Sequence, residues 1–159
     1  MSRYAAKTEV TSEKSRAEIE RTLTRYGADG FMYGWQGDRA MIAFRMNARQ
    51  IKFVLPMPDR QADEFTSYMR GSVQYEREEN AAHKLWEQAC RQRWRALSLV
   101  VKAKLEAVEC GISEFDDEFM ANIVMPDGST IGQWARPQIA DMYGSGQMPP
   151  LLPGPGDEA

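Results

Sequence analysis

The amino-acid sequence predicts an α+β domain made of an N-terminal helix, a three-stranded antiparallel meander, a long amphipathic helix and short C-terminal helices. Three observations carry this prediction. Two stretches repeat apolar residues at helical spacing. Between them, three short runs alternate apolar and polar residues and are joined by turns that suit antiparallel neighbours. Beyond Gly111 the pattern breaks into short, separately capped pieces. The 159 residues are room for one ordinary domain with appendages.

The first helix runs from about Ser12 to Tyr26. Thr11 or Ser12 can cap it, Ser15 with Glu18 offers a second capping register, and Ile19, Leu23 and Tyr26 form a narrow apolar face. Gly27 then stands where a left-handed residue is expected. Phe31 to Trp35, Arg39 to Met46 and Gln50 to Leu55 have strand chemistry. Gln36-Gly37-Asp38 and Asn47-Ala48 form the turns, and Pro56 and Pro58 form the stop. Residues 56–79 carry few apolar positions and read as a long mobile loop with a helical turn near Asp63–Met69.

The longest helix is expected from Asn80 to Cys110. Trp86, Cys90, Trp94, Leu97, Val101, Leu105 and Val108 are spaced 4, 4, 3, 4, 4 and 3 residues apart, a sustained apolar stripe. Such a rod overhangs a small sheet, so its surplus stripe is expected against the first helix, the C-terminal region or a second chain. Ser113 and Asp116 cap a short helix bearing Phe115 and Phe119. Thr130 and Gln133 form a capping box for a last helix, in which Pro137 begins a fresh turn or makes a kink. The expected organisation is a flexible N-terminus over 1–9, a single domain over 10–143, and a flexible Pro- and Gly-rich tail over 144–159.

Composition narrows the function classes. At 43% hydrophobic and 27% charged residues the chain is globular rather than disordered. A formal net charge of -3 excludes a uniformly basic nucleic-acid coat. Charge is uneven, however. Residues 1–110 hold 19 basic and 15 acidic side chains, a local net of +4, whereas residues 111–159 hold one basic and eight acidic, a local net of -7. A polyanion would therefore meet the first part. No apolar run reaches the roughly 18–20 residues of a membrane span, and Met1-Ser2-Arg3-Tyr4 opens no signal-peptide pattern.

No constellation for catalysis is legible. His83 has no second histidine to share a metal, Cys90 lies on the apolar stripe, and Cys110 lacks a base or a paired thiol. The carboxylates at 114–118 read as helix N-terminal charge, and the glycines near Tyr33 read as strand and turn glycines. No catalytic residue, cofactor or metal ligand is expected. One row stands out on the long helix: Lys84, Arg91, Arg95 and Lys102 fall within roughly ±20° of a single line and span about 27 Å. Such a row can follow a phosphate backbone. Arg39, Arg45 and Lys52 on the sheet would extend it, and Trp35 or Tyr33 would stack on bases. The expected nucleic-acid-binding residues are Lys84, Arg91, Arg95, Lys102, Arg45, Lys52 and Trp35. The competing expectation is a protein-interaction module, a homo-oligomer or an inhibitor of a host enzyme, that uses the Trp/Leu/Val stripe or a docking peptide at Met148–Pro153.

The helix–strand–strand–strand–helix order resembles, in topology, the double-stranded RNA-binding domain and the core of single-strand annealing proteins. Asn80-Ala81-Ala82-His83-Lys84 departs from the Lys-Lys-x-Ala-Lys cluster of the former. A second resemblance covers most residues outside the 59–80 loop. It runs through Arg3-Tyr4-Ala5-Ala6-Lys7-Thr8, Ala17 to Leu23, Phe31-Met32-Tyr33-Gly34, Phe53-Val54-Leu55-Pro56, Trp86 to Leu97 and Met148 to Pro153. In these segments the chain is similar to an uncharacterised family of small phage and prophage proteins. That resemblance implies no activity and assigns no residue. It implies a phage setting, hence a bacterial cytoplasm and neighbours in DNA metabolism.

Overall fold

The computed structural model describes residues 7–148. In it α1 (Ser12–Arg25) is followed by β1 (Gly30–Gln36), β2 (Arg39–Met46) and β3 (Arg49–Pro56), then α2 (Asp63–Thr66) and the hairpin strands β4 (Ser67–Arg70) and β5 (Val73–Glu76). The chain ends with α3 (Glu79–Glu109), α4 (Phe115–Phe119), a 3₁₀ turn (Met120–Asn122) and α5 (Ile131–Ser145). The α+β architecture is the expected one.

Each early boundary has a local cause. The Thr11 hydroxyl accepts the Lys14 amide at 3.2 Å and opens α1. The β2–β3 turn holds Asn47 and Ala48 at φ +51° and +57°, the left-handed pair of a two-residue hairpin. The three strands form one antiparallel sheet, β1-β2-β3, in which Tyr33, Ile42 and Phe53 stand in line and Phe31, Phe44 and Ile51 form the next row. That face carries the core. Ile19 and Leu23 of α1 and Trp94, Leu97, Val101 and Leu105 of α3 pack on it, so both helices cover one side of the sheet. They run in the same direction, because Glu18 meets Arg95 and Tyr26 meets Glu106.

The C-terminal region closes the end of this core. Phe115 and Phe119 of α4 join the aromatic cluster with Phe44 and Phe53. Lys104 of α3 bonds the Glu118 carbonyl at 2.8 Å and its carboxylate at 3.0 Å. The Lys104 ammonium holds the Glu118 carboxyl below the usual carboxylate range. The chain then pairs with the free edge of β3, where Ile123 bridges Ile51 and the Val124 amide donates to Gln50 at 2.8 Å. The Thr130–Gln133 capping box forms as expected and starts α5. A side chain at Gly132 would meet the Ala121 carbonyl at 2.8 Å, so this glycine lets α5 sit against the 3₁₀ turn.

Two expectations need correction. Residues 56–79 contain the expected helical turn, as α2, but the remainder is not one loop, because it contains the β4–β5 hairpin. The hairpin turns at Gly71, φ +65°, and stacks Tyr68 on Tyr75 across its strands at 5.7 Å. Its strands are four residues each and cover no core, so their apolar pattern is too brief to stand out. Pro137 does not interrupt α5, which continues through Gly144 to Ser145 before Gly146 adopts φ +69°. The surplus stripe of the long helix is covered by α1 and the C-terminal α4, as expected. Its start is also covered by the segment before it, since Trp86 donates to the Pro58 carbonyl at 2.8 Å and the buried Phe65 lies on α2, which packs on α3. Most of the tail beyond Gly144, with the Pro149–Pro153 part of the docking peptide, and residues 1–6 lie outside the described residues. Among those described, no helix is long and apolar enough to cross a membrane.

Candidate functional site

The first turn of α1, the end of β1, the residue after β3 and the first half of α3 meet around a groove of about 300 Å³. Its apolar wall is Trp35, Met57, Trp86, Cys90 and Trp94, and its polar rim includes Arg16, Arg91, Glu13 and Glu87. Strand alternation explains why Trp35 is here: it shares the helix-covered side of the sheet with Phe31 and Tyr33 but lies at the strand's end, beyond full cover. It is 54% exposed, whereas Trp94 behind it is 1% exposed.

The rings are arranged edge to face. Tyr33 meets Trp35 at 5.9 Å and 80°, and Trp94 at 5.6 Å and 60°. Arg16 lies over Tyr33 at 4.7 Å and over Trp94 at 5.4 Å, and it donates to the Tyr33 hydroxyl at 3.1 Å. Burial pushes the Tyr33 phenol above its ordinary range, with Arg16 pulling the other way. Burial also pushes the Cys90 thiol up to about 11, which keeps it a neutral part of the wall rather than a nucleophile. Both rim carboxylates have cationic or ring partners: Glu13 is 3.6 Å from Arg16, and Glu87 is 3.4 Å from His83.

A second, open depression of about 520 Å³ adjoins the groove. Thr11 and Arg91 belong to both, and Lys7, Thr8, Glu9 and Gln88 complete it, so it mixes both charges. A third, polar depression of about 590 Å³ lies between the hairpin and the start of α3, where Arg60, Arg77, Asp63, Glu76 and Glu79 mix both charges. It lacks the tryptophan wall of the first groove. Among the described residues, no three His, Cys, Asp or Glu side chains are placed to hold a metal ion.

The cationic residues expected from the sequence do not form one continuous row. Lys84 and Lys102 are exposed on α3. Arg91 is half-buried and directs its guanidinium to the Gln88 side chain at 3.0 and 2.5 Å. Arg95 is not on a solvent-facing flank. It sits in the α1–α3 seam, half-buried, paired with Glu18 at 2.5 Å. Arg45 and Lys52 cannot extend the row, because alternation puts them, with Arg39, on the sheet face opposite α3. There Arg45 pairs with Asp29 at 2.8 Å, which lowers the Asp29 pKa, and Lys52 donates to the Gly128 carbonyl at 2.6 Å. Arg49 lies on the core side of the strand and pairs with Asp116 of α4 at 2.9 Å.

Of the expected set, therefore, the structure brings together Trp35 and Arg91. Arg16, Trp86 and Met57 are additions to the site. Nothing local in the sequence signals the contact of Arg16 with rings 17 and 78 positions away. No protein-family model, curated protein or solved structure matches the chain.

Proposed function

We propose that the protein is a non-enzymatic nucleic-acid-binding accessory protein of a phage or prophage, acting through the groove and the neighbouring part of α3. The observation that supports this reading best is Trp35, a large exposed ring beside Arg16 and Arg91 at the mouth of a concave aromatic wall. Exposed aromatics beside cations are the combination that holds bases and backbone together. Lys7 lies in the adjoining depression together with Glu9, and Lys84, about two helical turns before Arg91, is exposed on α3. The contact surface is shorter than a phosphate track along the whole of α3, because Arg95 is engaged by Glu18.

The test is fluorescence anisotropy with labelled oligonucleotides at about 50 and 200 mM salt. The parent is expected to lose affinity steeply with salt, by roughly one slope unit per contacted phosphate. An Arg91→Glu/Lys84→Glu variant is expected to bind about tenfold more weakly and with a shallower salt slope. A variant that binds as tightly as the parent rejects the reading.

The Trp/Leu/Val stripe offers no partner surface, since Trp94, Leu97, Val101 and Leu105 are core residues. What favours an interaction module is α5 instead, which leaves Trp134, Ile139 and Tyr143 exposed. Sedimentation at several concentrations tests self-association through it, and a strict monomer argues against that form of the reading.

A further inference from the structure

We propose that the groove seats one unpaired nucleobase against Trp35, so that the protein prefers single-stranded over duplex nucleic acid. This deepens the nucleic-acid reading above and rests on it.

Ring geometry supports the assignment first. Trp35 meets Tyr33 nearly perpendicular, at 80°, so this contact is not a parallel stack, and the indole is 54% exposed. The other rings of the groove are already engaged. Trp94 is 1% exposed beneath Arg16, and Trp86 is stacked on His83 at 5.6 Å and 24°. Trp35 is thus the platform and the others are its wall. Every base has a π-face, so a single ring platform is tolerant of sequence.

Shape supports it second. A base in a duplex is covered above and below and paired along its edge, so its faces do not reach a concave wall unless it leaves the stack. A groove of about 300 Å³ with an aromatic wall accepts a planar ring system from an open strand without that cost. Duplex grooves are read by protruding elements such as a helix, whereas Trp35 stands at the mouth of a concave wall.

Charge sets the extent of the site. Glu13 and Glu87 on the rim disfavour a long phosphate track through the groove. Arg91, shared with the depression that holds Lys7 and Glu9, provides for the phosphate next to the seated base. The chemistry is therefore one stacked base with one flanking phosphate contact, extended weakly by neighbouring cations.

The experiment uses the full chain with a labelled single strand of about 15 nucleotides and a duplex of the same sequence. Affinities are measured for the parent, Trp35→Ala and Trp35→Phe. The single strand is expected to bind at least about tenfold tighter than the duplex. Trp35→Ala is expected to weaken single-strand binding about tenfold while Trp35→Phe retains most of it, with thermal unfolding of both close to the parent. If duplex and single strand bind equally, or Trp35→Ala binds the single strand like the parent, the base seat is overturned and the wider nucleic-acid reading stands. If neither ligand binds at either salt concentration, both fall.

Discussion

Replacing Phe119 by alanine is expected to cost about 3–5 kcal/mol of folding stability. Its side chain is 0% exposed and touches the cluster from three directions, with ring centroids 5.9 Å from Phe44, 6.4 Å from Phe53 and 4.8 Å from Phe115. The Lys104 ammonium lies 5.7 Å above the ring, on the side where it also ties down Glu118. Deleting the ring removes apolar burial and leaves a cavity that two strands and α3 cannot collapse around. The loss reaches further than the core, because the next residues form the edge pairing on β3 and the support of α5. Denaturant unfolding is expected to show a lower midpoint with an unchanged slope. A loss under about 1 kcal/mol would mean that α4 is an appendage rather than part of the core.

Trp94→Ala is the second large effect, again about 3–5 kcal/mol. This residue works on both sides of one wall. Towards the sheet it fills the core with Leu97 and Val101, and towards the groove it carries the edge of Tyr33 and the guanidinium of Arg16. Alanine therefore removes buried area and also frees Arg16 from one of its two rings. Trp94→Phe keeps a ring there and is expected to recover more than half of the loss in denaturant titration. Equal losses for the two variants would contradict the role given to the aromatic contacts.

Much of the fold was legible because its signals are local. Thr11 before α1, Asn47-Ala48 between strands, Gly111 after α3 and the Thr130–Gln133 box each act within four residues, and alternation sets the side of the sheet. The β4–β5 hairpin was missed because four-residue strands that cover no core leave almost no period to detect. The candidate site was legible only in part. A helical projection correctly aligns Lys84, Arg91, Arg95 and Lys102 on one line, but it contains no information about the neighbour that packs there. Glu18, 77 positions earlier, turns Arg95 from a surface cation into half of a seam ion pair. For the same reason the groove itself is invisible in sequence, since Arg16, Trp35 and Trp94 meet only once α1, β1 and α3 are assembled.

The chain contains four tryptophans, Trp35, Trp86 and Trp94 in the groove and Trp134 on α5, and each indole N–H contributes one NMR signal of its own. Titrating the labelled full chain with a short single-stranded oligonucleotide therefore reports where the ligand sits. The groove account predicts the largest shift at Trp35, a smaller one at Trp86, and none at Trp134. A shift at Trp134 with Trp35 unmoved, or no movement of any indole at saturating oligonucleotide, would contradict it.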